Sequence, residues 1–250
     1  MKLVVPSLRA TLFPLYVFEA VRPTHVQTAL RQVFETWGLP ERLRIDNGQP
    51  WGSANDLPRD LALWLIGLGI DVIWNRPYRP QDNGRVERSH GVTKNWIEPH
   101  TCRDLVQLQQ RLNRAVYLQR TAYPYHQGLS RTQYFPSLQH GGQPYQQASE
   151  PQQWQLARVD ALLAQGVWVR HTDSDGKISI YGRNYSVGRR YSRQAVLLRF
   201  DPETRHWQAD DTQGHCLRSM ANRELSSDSI VALQVTRHKP RKPSKTTGKT

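Results

Sequence analysis

The chain has 250 residues, of which 38% are hydrophobic and 9% aromatic, enough for one to two domains with ordinary apolar cores. Its formal net charge of +13 favours a polyanionic partner, since neutralising phosphates releases condensed counterions, although ribosome-associated and membrane-surface proteins share such basicity. The sequence has no apolar run of about 18 residues and two distant cysteines, Cys102 and Cys216, which argues against a membrane-spanning helix, a disulfide framework and a thiolate zinc site.

The first hundred residues predict alternating strands and helices. The apolar run 11–20 has strand length, although Pro14 lacks an amide donor and places it at a sheet edge or bulge. Helical spacing covers residues 24–37, where Gly38 ends the helix. The following elements are predicted as a strand, a helix, a strand and a helix, at residues 42–45, 57–68, 70–74 and 83–97. This order predicts an α/β layer with parallel pairing among the later strands.

The rest of the chain predicts a helical segment with a linker, then a second domain and a basic tail. Residues 101–137 show amphipathic helical spacing, and residues 139–155 are rich in Gln, Gly and Pro and predict a linker. Short apolar alternations separated by turn signals then predict a small antiparallel barrel, with strands near residues 166–169, 177–180, 184–187, 195–200 and 207–209. The tail 237–250 carries six Lys or Arg and no acid, which predicts disorder and nonspecific phosphate contacts.

Two acidic residues fall where the predicted elements give them possible chemistry. Asp46 follows a strand, at the carboxyl edge of an open α/β sheet where ligands usually sit. Glu87 lies in the first turn of the 83–97 helix and is predicted to point at the same edge. Two hard oxygen ligands there would suit Mg²⁺ or Mn²⁺, and a metal pair stabilises the attacking and leaving oxygens of a phosphoryl displacement.

Each acidic motif also has a simpler interpretation. The triplet Asp46-Asn47-Gly48 alone is more often a plain turn than a metal site, because Asn and Gly tolerate positive φ. Glu87 alone is more often a first-turn acid that complements the helix dipole. The cations near Glu87 in the sequence favour contact with a DNA backbone over a merely solvated charged face. They are Arg76, Arg79, Arg85, Arg88 and Lys94.

Together, Asp46-Asn47-Gly48 and the string from Arg76 to His90 resemble the second and third acidic stations of the retroviral-type integrase and bacterial transposase family. The resemblance implies a ribonuclease-H-like core that cuts and joins DNA. It implies Asp46 and Glu87 as the second and third metal-binding carboxylates, and Lys94 as a DNA contact. Asn47 and Gly48 would shape the turn beneath the metal, and Gly84 would start the helix close to the site.

The resemblance also identifies a missing part. The family places its first carboxylate on an early strand, and no Asp or Glu precedes Glu19 in this chain. We therefore expect an N-terminally truncated core that is inactive alone. Two hypotheses remain open. The chain is a strand transferase that receives the missing carboxylate from another polypeptide or a frameshifted product, or it is a noncatalytic DNA-binding remnant or regulator of a mobile element.

The expected organisation is a partial ribonuclease-H-like integrase core (1–100), a helical extension with linker (101–154), an SH3-like C-terminal β-barrel (155–236) and a basic tail (237–250). The barrel resembles the module that bacterial transposases use to bind DNA or a partner subunit. The expected partners are DNA, as transposon ends and target, and either a second copy or a fuller transposase subunit. A cytoplasmic, nucleoid-associated location and a Mg²⁺ or Mn²⁺ cofactor follow from the same resemblance.

Overall fold

The computed structural model describes residues 16–52, 55–76, 84–136 and 143–237, with the backbone alone for residues 84–90. The chain divides into two compact units, Met1–Leu162 and Leu163–Thr250. Both helices and strands are present, which confirms the mixed α/β class. No helix in the described ranges combines the length and apolarity needed to cross a membrane.

The first unit is built around a pair of parallel strands. Its leading elements are α1 (Pro23–Trp37), β1 (Arg42–Ile45), α2 (Asp60–Gly67), β2 (Asp71–Trp74) and α3 (Gly84–Ile97). Strand β1 pairs in parallel with β2, with Arg42 opposite Asp71 and Ile45 opposite Trp74. The predicted parallel pairing is confirmed, and the carboxyl ends of both strands meet at one edge.

Helix α1 matches its sequence prediction to within one residue. Pro23 begins it, where a missing amide donor costs nothing. Gly38 ends it at φ 78°, and its N–H donates to the Phe34 carbonyl over 2.7 Å. Val26 and Val33 lie on its buried face and are 1% and 2% exposed.

Helix α2 forms the centre of the first unit. Every one of its residues is buried, including Trp64, so it has no solvent face. It begins at Asp60 and not at residue 57 as predicted, because Leu57 and Pro58 are buried in an extended approach to the helix. Trp51, in the loop before α2, is also buried, with 6% of its surface exposed.

The strand predicted at residues 11–20 is not found in its described part. Tyr16 makes a single bridge, and the chain bends at Glu19 and Ala20. The Val17 N–H donates to Oε1 of Gln109 over 2.9 Å, so a side chain satisfies this backbone donor. Residues 11–15 lie outside the described residues.

The predicted helix at residues 101–137 is shorter and is followed by a hairpin. Helix α4 spans Leu105–Thr121 and is followed by β3 (Pro124–His126), β4 (Leu129–Ser130) and α5 (Arg131–Tyr134). Pro124 has no amide N–H and cannot continue a helix, which explains the early end. Helix α4 packs on α3 through a cluster of Ile97, Leu108, Leu112, Ala115 and Val116.

The predicted linker at residues 139–155 is wrong for its described part, 143–155. Its Tyr145, Glu150 and Trp154 are 4%, 4% and 7% exposed. The segment forms α6 (Glu150–Gln153) and leads into α7 (Leu156–Ala164), inside which the division between the two units falls. It belongs to the core of the first unit because its large side chains are buried there.

In the described part of the second unit, up to residue 237, the chain forms six strands and a short helix. They are β5 (Trp168–His171), β6 (Lys177–Ile180), β7 (Arg183–Ser186), β8 (Ala195–Asp201), β9 (His206–Asp210), β10 (Cys216–Ala221) and α8 (Ser227–Val231). Strands β10, β9, β8 and β5 form one antiparallel sheet, and β6 pairs with β7 alone. Within residues 163–237 the strands therefore form separate sheets and not the single closed barrel predicted. The alternation predicted five of these strands and missed β10.

Candidate functional site

The carboxyl edge of β1 and β2 brings two sequence-distant segments together. Asp46 follows β1 directly, and Asn75 and Arg76 follow β2. The Asn75 N–H donates to the Ile45 carbonyl over 3.0 Å, which continues the parallel pairing one step past the last strand residues. Asp46 therefore leaves the sheet beside Asn75 and Arg76, at the edge where α/β sheets usually bind ligands.

A side-chain bond fixes the turn that carries Asp46. Nδ2 of Asn47 donates to the main-chain carbonyl of Asn75 over 2.5 Å. This bond joins the loop after β1 to the loop after β2. The backbone that carries Asp46 is consequently held relative to the segment that carries Arg76.

The loop beyond Asn47 closes on itself. Gly48 and Gly52 exchange two backbone hydrogen bonds, each 2.7 Å long. Gly48 lies at φ 139°, a conformation that residues with a Cβ rarely adopt. Trp51, inside this loop, is buried and anchors it against the first unit. The Asp-Asn-Gly triplet is therefore part of an anchored loop.

In the described structure, Asp46 is the candidate metal-binding carboxylate at this edge. Its side chain is exposed, so a cation or a phosphate-bound metal has access to its oxygens. Among the described residues no group of three His, Cys, Asp or Glu side chains lies close enough to hold a metal ion. A metal at Asp46 thus requires ligands beyond those side chains.

The other predicted metal ligand lies on α3. Glu87 is the fourth residue of that helix, so the predicted first-turn position is confirmed for its backbone. The side chains of Glu87, Arg85 and Arg88 lie outside the described residues, as does Arg79 as a whole. Gly84 begins α3 as predicted. The convergence of Asp46 and Glu87 therefore stays a prediction.

Two of the predicted DNA-contacting cations are described, and both are exposed. Arg76 lies at the sheet edge beside Asn75, and Lys94 lies in the last turn of α3. Thr93, next to Lys94, is buried and accepts a 3.0 Å hydrogen bond from Nε2 of Gln119. That contact orients α3 on α4, so the neighbouring Lys94 is presented to solvent.

The first unit also contains a buried carboxylate that the sequence did not reveal. Glu150 accepts hydrogen bonds from Arg31 over 2.8 Å and 2.6 Å and from Nε1 of Trp64 over 3.1 Å. The hydroxyl of Tyr145 donates to it as well. Burial raises the pKa of Glu150, but these donors outweigh burial and hold the pKa below its usual range. The network attaches residues 145–150 to α1 and α2.

Comparison with known proteins relates a segment of this chain to retroviral polyproteins. No protein-family model matches the sequence. Over 74 residues, 30% of the chain, it is 38% identical to the Gag-Pro-Pol polyprotein of Mason-Pfizer monkey virus. Over 74 residues it is 36% identical to the Gag-Pro-Pol polyprotein of simian retrovirus SRV-1. The matched segment spans 4% of the length of each polyprotein.

Proposed function

We propose that this chain is a DNA-binding protein of a mobile element, of the retroviral-integrase and transposase type. Its first unit would be a partial ribonuclease-H-like core, and its second an SH3-like module. The observation that carries the proposal is the edge at which Asp46 and Arg76 leave two parallel strands, held together by the Asn47 bond to Asn75.

Charge and exposure support a phosphate backbone as the ligand of this edge. The chain carries a net charge of +13, and Arg76 and Lys94 are exposed in the first unit. Phosphate contacts by such side chains position a duplex without reading its sequence. We therefore expect DNA affinity that depends weakly on sequence and steeply on salt.

The two retroviral relatives support the same class of element. They are polyproteins of retroviruses. The resemblance of the Asp46 and Glu87 motifs is to retroviral-type integrases. The matches cover 30% of this chain, so the activity of a whole polyprotein is not transferred to it.

In the proposed site, Asp46 and Glu87 would bind Mg²⁺ or Mn²⁺ through carboxylate oxygens, the ligands these cations prefer. The bound metal would neutralise phosphate charge at the edge. Asn47 and Gly48 would hold the Asp46 backbone, and Arg76 would bind a neighbouring phosphate. The missing first carboxylate of the family pattern would come from another polypeptide, either a second subunit or a fuller transposase.

The test is a Mn²⁺ titration of the full chain and of two matched variants. Asp46→Asn removes the proposed ligand, and we expect it to weaken Mn²⁺ binding at least roughly tenfold, as one lost carboxylate ligand should. Asp71→Asn is the control, because Asp71 lies at the opposite end of β2 and pairs with Arg42 over 3.5 Å. Equal Mn²⁺ affinities of the two variants would refute the metal site.

The DNA part of the proposal has a separate readout. For a labelled duplex and the wild-type chain, the logarithm of the binding affinity should fall linearly with the logarithm of the salt concentration. Duplex binding that is undetectable at low salt would refute the proposal irrespective of the metal result.

A further inference from the structure

Exposed aromatic rings from the end of α3, from the segment after α4 and from α5 form two groups of contacting rings. Trp96 and Tyr123 lie 5.2 Å apart between ring centroids. Tyr125 lies 5.9 Å from Tyr134, and Tyr134 lies 4.9 Å from the His126 ring. We call Trp96, Tyr123, Tyr125 and Tyr134 the aromatic row.

All four residues of the aromatic row are exposed to solvent. Their exposed fractions are 41% for Trp96, 47% for Tyr123, 43% for Tyr125 and 39% for Tyr134. Residues of this size contribute most to stability when they are covered, so a cluster left open indicates a binding surface.

The side chain of Arg131 lies close to two tyrosines of the aromatic row. The guanidinium carbon of Arg131 lies 4.8 Å from the centroid of the Tyr125 ring. Nη1 of Arg131 donates to the Gln119 carbonyl over 3.0 Å. Burial lowers the pKa of Arg131, while Tyr125 and Tyr123 act in the opposite direction, which places both tyrosines near its charge. Arg131 therefore sets a fixed positive charge among the rings.

The surrounding sequence has no acidic residue. Between Asp104 and Glu150 there is no Asp or Glu, whereas Arg111, Arg114, Arg120 and Arg131 lie in that interval. Exposed rings close to arginine side chains are complementary to a polyanion that carries flat groups. Unpaired nucleotides have this chemistry, because their bases stack on aromatic rings and their phosphates bind Arg.

The hairpin is held firmly enough to present its rings. Ser130 caps α5 through a reciprocal pair of bonds with Gln133. Oγ1 of Thr132 donates to the Arg120 carbonyl over 3.2 Å, which ties the hairpin to the end of α4. A supported platform loses less conformational entropy when a ligand binds.

We propose that the aromatic row binds unpaired bases of single-stranded DNA by stacking, with Arg131 contacting the adjacent phosphate. The proposal rests on the proposed DNA-binding function and adds a substrate class to it, a strand whose bases are not paired. Duplex DNA would bind elsewhere on the chain through its phosphates.

The test compares labelled oligothymidine with a duplex of the same length, by fluorescence anisotropy on the full chain. The double variant Tyr125→Leu/Tyr134→Leu keeps apolar volume but removes two stacking faces. Since base stacking contributes about 1–3 kcal/mol per base, single-strand affinity should fall about tenfold or more. Duplex affinity should change by less than about twofold, because phosphates dominate it.

Two control variants separate stacking from folding. Tyr125→Phe/Tyr134→Phe keeps both ring faces and should retain single-strand affinity. Tyr117→Leu removes a tyrosine of α4 that is 64% exposed and lies outside the row, and it should leave single-strand affinity unchanged. If the Leu pair fails to fold, the Phe pair is compared with Arg131→Gln, which should weaken single-strand binding alone.

Other outcomes of these experiments would contradict a base-binding role of the aromatic row. Equal losses for single strand and duplex in the Leu pair, or no loss in either, refute the aromatic row as a base-binding surface. A change of oligomeric state with unchanged DNA binding identifies the row as a protein interface and refutes it too. If the wild-type chain binds duplex without any row-dependent single-strand affinity, this inference fails while the proposed function stands.

Discussion

Nδ2 of Asn47 donates to the main-chain carbonyl of Asn75 over 2.5 Å, joining residues that are 28 positions apart in sequence. This bond connects the ends of β1 and β2 at the edge where Asp46 emerges. Its consequence is that the position of Asp46 depends on the loop after β2 as well as on its own strand.

Asn47→Ala should destabilise the first unit by about 1 kcal/mol, the usual net contribution of one hydrogen bond. Urea unfolding measures the change. Asn95→Ala is the control, since Asn95 is exposed on α3, and it should stay within about 0.5 kcal/mol of wild type. Equal effects of the two substitutions would show that the Asn47 bond contributes nothing to stability.

Gly48→Ala and Gly91→Ala should have effects of opposite sign. A Cβ at either glycine meets no atom within 4 Å, so packing does not separate them. Gly48 lies at φ 139°, where an added Cβ costs about 1–3 kcal/mol. Gly91 lies within α3, where alanine should stabilise by about 0.5–1 kcal/mol. Thermal unfolding of both variants measures this difference, and a stabilising Gly48→Ala would contradict it.

Glu150→Gln should cost about 3 kcal/mol or more, because it leaves the charge of Arg31 without its buried partner. Glu41→Gln is the control, as it removes the same charge from an exposed site and should change stability little. Denaturant unfolding at neutral pH gives both values. A loss below about 0.5 kcal/mol for Glu150→Gln would contradict a stabilising role for the network.

The carboxylate of Glu150 also predicts that the free energy of unfolding depends on pH. The pKa of Glu150 is lower in the folded chain than its usual value. Its contribution to stability is therefore complete above the unfolded value of about 4.3 and is lost as pH falls through the folded value. The unfolding free energy of Glu150→Gln should fall less steeply than that of wild type below that pH. Parallel acid limbs for the two proteins would contradict the lowered pKa.

The basic tail should account for part of the salt dependence of DNA binding. Truncation after Arg237 removes five Lys or Arg and keeps the 2.9 Å bond from the Arg237 N–H to the Tyr181 carbonyl. If all five touch phosphates, the slope of log affinity against log salt should become shallower by about 4 to 5. An unchanged slope would exclude the tail from the DNA contact.

The 250-residue chain should bind duplex DNA without nicking it in the presence of Mg²⁺ or Mn²⁺. Asp46 and Glu87 alone do not supply the anionic ligands that fix a metal pair in line with the attacking and leaving oxygens. Incubation with a supercoiled plasmid provides the measurement. Nicking that Glu87→Gln abolishes would show that the chain completes its own catalytic centre.

Local signals in the sequence determined several elements of the first unit. Pro23 and Gly38 mark the ends of α1, and the prediction for β1 matches its bounds, Arg42–Ile45. The start of α3 at Gly84 was predicted to within one residue. The end of β1 before Asp46 was also predicted correctly, because it depends on neighbouring residues alone.

Only the tertiary structure decided which distant segments meet. Helix α2 begins at Asp60 because burial of Leu57 and Pro58, and not local propensity, shapes its approach. The polar stretch around Glu150 reads as a linker until Arg31, 119 residues earlier, supplies its buried partner. Likewise, the pairing of β5 with β8 joins strands that are not consecutive in sequence. Local propensity decided the bounds of α1 and β1, whereas the role of a buried charge or of an exposed ring depends on neighbours that only folding brings near.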